Sequence, residues 1–147
     1  MKKFKGRIVT PGTVTAKAVV THEGFNTLAS LQKALQFGDK TAKCNDQNNK
    51  ELFGKPLANN ALCLPQTIGS TTGGLVIYCA CAMKRQPACL LFSNHIDSLA
   101  AAGAVLADVW VDDITMPVID CLGDEFLEYV KDDMTITIEA DGTVIVD

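Results

Sequence analysis

Residues 134–139 and 143–147 alternate apolar and polar side chains on either side of Asp141-Gly142. An Asp-Gly pair between two alternating runs is a strong local signal for a tight β-hairpin. A lone hairpin with one apolar face is barely stable in water, so it must join a larger sheet. The other end of the chain supplies the partners. Residues 4–20 read as two strands joined by a turn at Pro11-Gly12, with Ile8 and Val9 before the turn. Val14, Ala16, Ala18 and Val20 alternate with polar residues after it. Strands from both ends of the chain are therefore expected in one core.

Between these ends the pattern mixes helix and strand. Asn26 stands where it would cap a helix whose apolar positions Leu28, Leu31 and Leu35 fall three and four apart, with Gly38 ending it. Residues 39–51 are polar and read as an exposed loop. Leu57 to Leu64 suggests a strand stopped by Pro65, and 65–70 a turn region. The mostly apolar stretch 73–84 predicts a buried helix, ended near Lys84-Arg85 and shut off by Pro87. Ala88 to Phe92 reads as a short strand, and Asp97 or Ser98 caps a helix running to about Leu106. Its run Ala100-Ala101-Ala102-Gly103-Ala104 lets another element pack closely, and Thr115 to Asp120 gives a further strand. The sum is one mixed α/β domain over 1–147, with about seven or eight short strands and three helices, and no internal repeat.

Composition narrows the class. With 147 residues, 48% of them hydrophobic and 20% charged, the chain suits a single globular domain with a buried core. Thirteen Lys and Arg against seventeen Asp and Glu give a net charge of −4, which argues against a nucleic-acid binder. No uninterrupted apolar run approaches the ~18 residues of a membrane helix. The basic start, Met1 to Arg7, is followed by alternating Thr and Val rather than an apolar export segment, so a cytoplasmic protein is expected. Most of the six cysteines lie in apolar runs, as buried reduced thiols do; only Cys44, in the polar loop, is expected to be exposed.

The segment Pro65-Gln66-Thr67-Ile68-Gly69-Ser70-Thr71-Thr72-Gly73-Gly74 sits between a predicted strand and a predicted helix. Such a junction points free backbone N–H groups and the positive end of the helix dipole at one place. A carboxylate or phosphate would be held there, with Gly69, Thr71, Thr72 and Gly73 as its contacts and the glycines allowing close approach. The same field would help to ionise a hydroxyl, which makes Ser70 a candidate proton acceptor. The commoner role for Ser70, Thr71 or Thr72 is simply to cap the helix.

The order of elements and motifs resembles the swivel domain, or small subunit, of the aconitase X type dehydratases. The pattern runs from Phe4-Lys5-Gly6-Arg7 through Leu52-Phe53-Gly54-Lys55-Pro56-Leu57 and Leu62-Cys63-Leu64-Pro65 to Gly69-Ser70. It continues with Pro87-Ala88, with His95-Ile96-Asp97 leading into Ala102 to Ala107, and with Gly123-Asp124 and Asp141-Gly142-Thr143-Val144. The resemblance implies a swivelling β/β/α fold and a large catalytic subunit as partner. It implies that the partner holds an iron–sulfur cluster, that this chain binds no metal, and that the two together dehydrate a small hydroxy acid. Substrates in the family include mevalonate 5-phosphate in archaea and cis-3-hydroxyproline in some bacteria. It further implies that the serine of the Gly-Ser turn, here Ser70, takes the proton.

The chain departs from its relatives at three places. Thr67-Ile68 stands where a basic residue often precedes the Gly-Ser pair, and Thr72-Gly73 where true aconitases carry an arginine. Asn49, Lys50 and Glu51 replace an archaeal loop histidine. The first two changes remove a cation that would pair with carboxylate or phosphate, which leaves the substrate open among hydroxyproline, a phosphorylated hydroxy acid and other small hydroxy acids.

Other residues carry less. Cys79 and Cys81, two apart on a predicted helix, face different ways, and no two cysteines have the Cys-x-x-Cys spacing of cluster ligands. His95, beside Asn94 and Asp97, is either a general base or a helix-entry hydrogen bond; His22 is the only other histidine. Asp108, Asp112, Asp113, Asp124, Asp132 and Asp133 read as a solvated acidic surface, and Trp110 as core or partner contact. The alternative to an enzyme subunit is a non-catalytic module binding an anionic metabolite at the Gly-Ser turn. A phosphohistidine carrier is disfavoured, because no histidine adjoins that turn.

Overall fold

The chain passes from Lys5 through Gly6 to Arg7 in extended form, yet the strands on either side lie at opposite ends of one sheet. The computed structural model describes residues 1–147. Strands β1 (Lys2–Lys5), β2 (Arg7–Thr10), β3 (Val14–Val20), β5 (Ala61–Leu64), β7 (Cys89–Phe92), β8 (Val118–Asp120), β9 (Thr135–Ile138) and β10 (Thr143–Val146) form an eight-stranded sheet. Its order is β1-β10-β9-β3-β5-β7-β8-β2. Because one residue joins the two edge strands, the sheet must curl until its edges meet, as in a closed barrel. Gly6 is needed at that seam: a Cβ there would lie 2.2 Å from the Asp120 carbonyl oxygen.

The sheet has two halves. The expected hairpin is β9–β10, antiparallel with Val144 opposite Ile138, and β1 and β3 extend it on either side. At its turn the Asp141 carboxyl is held at about 2 by hydrogen bonds from Thr143 and by Lys5. From β3 onward the pairing β3–β5–β7–β8 is parallel, and β2 closes it antiparallel. Parallel neighbours need crossovers, and helices supply them. These are α1 (Thr27–Gln36), α2 (Gly73–Ala82) and α3 (Ser98–Trp110), whereas α4 (Asp124–Tyr129) leads from β8 to β9. A two-stranded parallel pair, β4 (Phe25–Asn26) with β6 (Thr67–Ile68), ties the loops ahead of α1 and α2.

Two cores follow. Inside the curl, Phe4, Ile119, Ile136, Ile138, Val144 and Val146 meet Phe126 and Leu127 of α4. Phe4 and Phe126 pack edge to face with ring centroids 5.3 Å apart. Outside, Val19, Leu62, Leu64, Leu90 and Phe92 of the parallel half meet Leu31 and Ala34 of α1, Ile77 and Ala80 of α2, and Ala100 and Ala104 of α3. The small-residue run of α3 does admit a close neighbour, and it is α2. A Cβ on Gly74 would lie 2.2 Å from the Leu99 carbonyl oxygen, and one on Gly103 2.1 Å from that of Gly74.

The expected fold class stands, with ten strands and four helices in place of the smaller counts. The strand of 57–64 shortens to β5, that of 115–120 to β8, and α3 runs four residues past Leu106. Helix α4, only six residues long, had no periodic signal to reveal it. Three expectations are corrected. The 39–51 loop is not wholly exposed: it folds back on α1, with the Asn45 N–H donating to the Ser30 carbonyl, and buries Ala42, Cys44 and Asn49. Cys44 is therefore buried, and the exposed cysteine is Cys121, which follows the edge-proximal strand β8. Helix α2 is apolar on every side but buries only Gly74, Ile77, Ala80 and Cys81, leaving Leu75 exposed. No helix is long and apolar enough to cross a membrane.

Candidate functional site

Every helix that follows a parallel strand starts at the same end of the sheet, so the loops after β3, β5 and β7 gather there. The first of these loops ends at Asn26, whose side-chain oxygen accepts from the Ala29 N–H at 3.1 Å and caps α1. Gly69, at φ +98°, lies against that cap: a Cβ there would come within 2.7 Å of the Asn26 amide. Glycine at 69 thus satisfies both a left-handed backbone and a close approach.

Ser70 follows, with its side chain exposed. Its Oγ lies 2.9 Å from Thr72 Oγ1 and accepts from the Thr72 N–H at 3.2 Å. The Gly73 N–H donates to the Ser70 carbonyl at 3.1 Å, and Val76 N–H to that of Thr72. At the head of α2 the Gly74 and Leu75 N–H groups have no backbone acceptor, and Thr72, at the N-cap position, makes no side-chain cap bond. This helix start, unlike those of α1 and α3, is left open.

Asp97 closes the third start. One carboxylate oxygen accepts from the Leu99 and Ala100 N–H groups, both at 3.0 Å, and the other accepts from the Thr67 hydroxyl. Asp97, not Ser98, is the cap, and it also pins the strand leading into the Gly-Ser turn. Behind it, Asp120 accepts from Arg7 Nε at 2.9 Å, Arg7 Nη2 at 2.6 Å and the Ile96 N–H at 2.8 Å. Burial pushes the Asp120 carboxyl up, but the bonds from Arg7 and Ile96 outweigh it and hold it below the usual range.

Together these loops enclose an open pocket of about 200 Å³. Thr27, Thr67, Ile68, Gly69, Ser70, Gly73, Gly74, Asp97, Leu99 and Ala100 line it, with no lysine, arginine or histidine among them. Of the residues expected at the site, Gly69, Ser70 and Gly73 line the pocket, and Thr72 reaches it through the Ser70 hydroxyl. Thr71 faces the neighbouring groove between α2 and α3 instead. Thr27, Thr67 and Asp97 escaped attention as lining residues; the available signal was that loops after parallel strands share one edge of the sheet. His95 is exposed and outside the pocket, its Nδ1–H donating to the Ile96 carbonyl at 2.8 Å. His22 bonds Glu51 at 2.7 Å and the Leu127 carbonyl at 3.2 Å, away from Ser70.

The family model described as the aconitase X swivel domain matches residues 3–146. This chain belongs to that family. Among relatives of the swivel domain, the phosphomevalonate dehydratase small subunit of Aeropyrum pernix is 33% identical over 91 residues, 62% of this chain and 63% of that protein. The protein of the same name from Methanocella arvoryzae is 24% identical over 143 residues, 97% of each chain. The crystal structure of Thermococcus kodakaraensis aconitase X in its holo form superposes with a TM-score of 0.80, over 100% of this chain and 99% of that one, at 23% identity. That likeness establishes the swivel fold.

The swivel domain's own side chains do not suit an iron–sulfur cluster. No three His, Cys, Asp or Glu side chains gather as metal ligands.

Proposed function

We propose that this chain is the small subunit of a two-subunit hydro-lyase that removes water from a small hydroxy acid, with Ser70 as proton acceptor. What supports this reading is the combination of a swivel domain matched over residues 3–146 with a Gly-Ser turn opening on a pocket at an uncapped helix start. Relatives bear the name phosphomevalonate dehydratase small subunit, and a small subunit implies a large one. In this reading an iron–sulfur cluster would be held by that large subunit and would supply Lewis-acid chemistry for the departing hydroxyl. Reduced thiols, four of them buried, suit the cytoplasm.

The chemistry assigned to this chain is proton transfer. Ser70 Oγ, ionised to the alkoxide, takes the proton of the substrate's acidic C–H while the C–O bond on the neighbouring carbon breaks. The departing hydroxide is protonated from solvent, and Ser70 later returns its proton to solvent, so the net products are an alkene and water. A serine hydroxyl is a poor base in water. Here the N–H of Thr72 and the open start of α2 favour negative charge on Oγ, and both act strongly only once water is excluded. Exposed as it is in the lone chain, Ser70 gains that environment when the large subunit covers the pocket. Gly69, Gly73 and Thr72 hold the substrate against the helix start, and Asp97 positions the turn through Thr67. Because no cation lines the pocket, the cation that pairs with the substrate's carboxylate or phosphate comes from the large subunit.

The test is to co-purify the tagged chain with its aconitase X type large subunit and assay dehydration of a panel of hydroxy acids. The panel includes mevalonate 5-phosphate and cis-3-hydroxyproline. Turnover by the pair and by neither subunit alone is the expected result. A chain that forms no pair yet binds small acids by itself would be a metabolite-binding module instead.

A further inference from the structure

From Gly73 to Met83, α2 and its cap carry no charged residue, and such a helix is normally buried all round. In this chain one side of it faces solvent. Leu75 is 63% exposed, and on α3 Leu106 is 40% and Trp110 66% exposed. Between the two helices runs an open groove of about 320 Å³. Its floor is set by the glycine contact of Gly74 with Gly103, and its walls by Leu75, Tyr78, Leu99 and Leu106. Trp110 stands at one end, its ring edge-on to Tyr78 with centroids 6.4 Å apart.

Three observations say what covers it. First, the groove is continuous with the pocket of Ser70: Gly74 and Leu99 line both. A body that shields Ser70 from water therefore also meets the head of the groove. Second, the two ends differ in charge. The groove walls are neutral, but just past the far end of α3 stand Asp112 and Asp113, with Lys84 donating to the Asp112 carbonyl. Both carboxylates are exposed and neither is ion-paired. Third, Leu75, Leu99, Leu106 and Trp110 form one contiguous exposed apolar wall, and such patches on a soluble domain mark interaction sites.

We infer that the α2–α3 groove is the dock for the large subunit: an apolar ridge of that subunit lies along it, with Lys or Arg side chains over Asp112 and Asp113. The inference rests on the small-subunit reading and adds where and how the two parts meet. Leu106 and Trp110 are the anchors, because they are large, exposed and remote from the proton-transfer site.

The test measures the affinity of the tagged chain for its large subunit with the double substitution Leu106→Glu, Trp110→Ala, and with Leu106→Met as the conservative control. The double variant is expected to keep the circular dichroism and melting temperature of the parent and to weaken the complex at least 100-fold. It should recover the parental kcat when the large subunit is in excess, and Leu106→Met should bind as the parent does. Double Asp112→Asn, Asp113→Asn should lower the association rate and flatten its salt dependence. An unchanged affinity of the double variant overturns the inference while leaving the small-subunit reading intact. Self-association of the chain through Leu106 and Trp110, with the complex unaffected, overturns it too. Absence of any complex with the unsubstituted chain overturns both.

Discussion

Arg7 at the head of β2 grips Asp120 at the end of β8 through two nearly parallel bonds, Nε to Oδ1 at 2.9 Å and Nη2 to Oδ2 at 2.6 Å. The pair fastens the seam of the curled sheet, and the third bond of Asp120, from the Ile96 N–H, fixes the turn that aims Asp97 at the pocket. One buried carboxylate thus links barrel closure to the shape of the candidate site.

Asp120→Asn should destabilise the chain by about 2 kcal/mol, the scale of lost hydrogen bonds to a charged group, since Arg7 is half-exposed and re-solvates. The pH dependence has a definite sign. A carboxyl held below its ordinary value adds stability above about pH 4, the unfolded value, and loses it as pH falls through the folded one. Urea midpoints of the two proteins should therefore differ at pH 7 and converge below pH 4. A constant difference down to pH 3 would show that the charge of Asp120 is not what matters.

Gly103→Ala should be more costly than its single added methyl suggests. The new Cβ would sit 2.1 Å from the Gly74 carbonyl oxygen, which is backbone and cannot swing away. Separating α2 from α3 costs about 2–3 kcal/mol by the scale of overpacked cores. Urea unfolding at unchanged slope measures it, and Gly38→Ala, where no atom lies within 4 Å, separates crowding from the backbone strain of a left-handed glycine.

Asp97→Ala removes the cap of α3 and the Thr67 contact together. Stability should fall by about 1 kcal/mol, as for other lost caps. In the two-subunit enzyme kcat and KM should both worsen, because the Gly-Ser turn loses its brace. Asp97→Asn, whose one carbonyl oxygen can still cap while its amide N–H donates to the Thr67 hydroxyl, should recover most of both.

Thiol titration distinguishes the six cysteines. Cys121 is exposed and Cys79 half-buried, while Cys44, Cys63, Cys81 and Cys89 are buried. Desolvation and the neighbouring Asp120 carboxylate push the Cys121 thiol up, partly offset by Arg7, so it reacts slowly at neutral pH and faster as pH rises. Native protein should release one thiol, then a second, with the remaining four reacting only on unfolding. Early reaction of Cys44 would contradict the packing of the 39–51 loop on α1.

Local chemistry made some of this readable in the sequence. Asn26 and Asp97 announce their helices because capping is a matter of neighbouring residues, and Asp141-Gly142 announces its hairpin for the same reason. Long-range pairing left weaker traces. Nothing adjacent to Gly6 says that the strands it joins end up at opposite edges of one sheet. The polar loop holding Cys44 looks exposed until its backbone bonds to α1 and to Lys55 are known. At the site, the Gly-Ser turn was legible as a strand-to-helix junction. Asp97 was not legible as its neighbour, since 30 residues separate it from Thr67 in sequence.

The central claim is that Ser70 takes the proton, and one substitution addresses it. In the reconstituted two-subunit complex, Ser70→Ala should leave folding, pairing and substrate binding in place while dehydration slows at least 100-fold, the scale of a lost general base. Turnover of that complex at the parental rate would contradict the account.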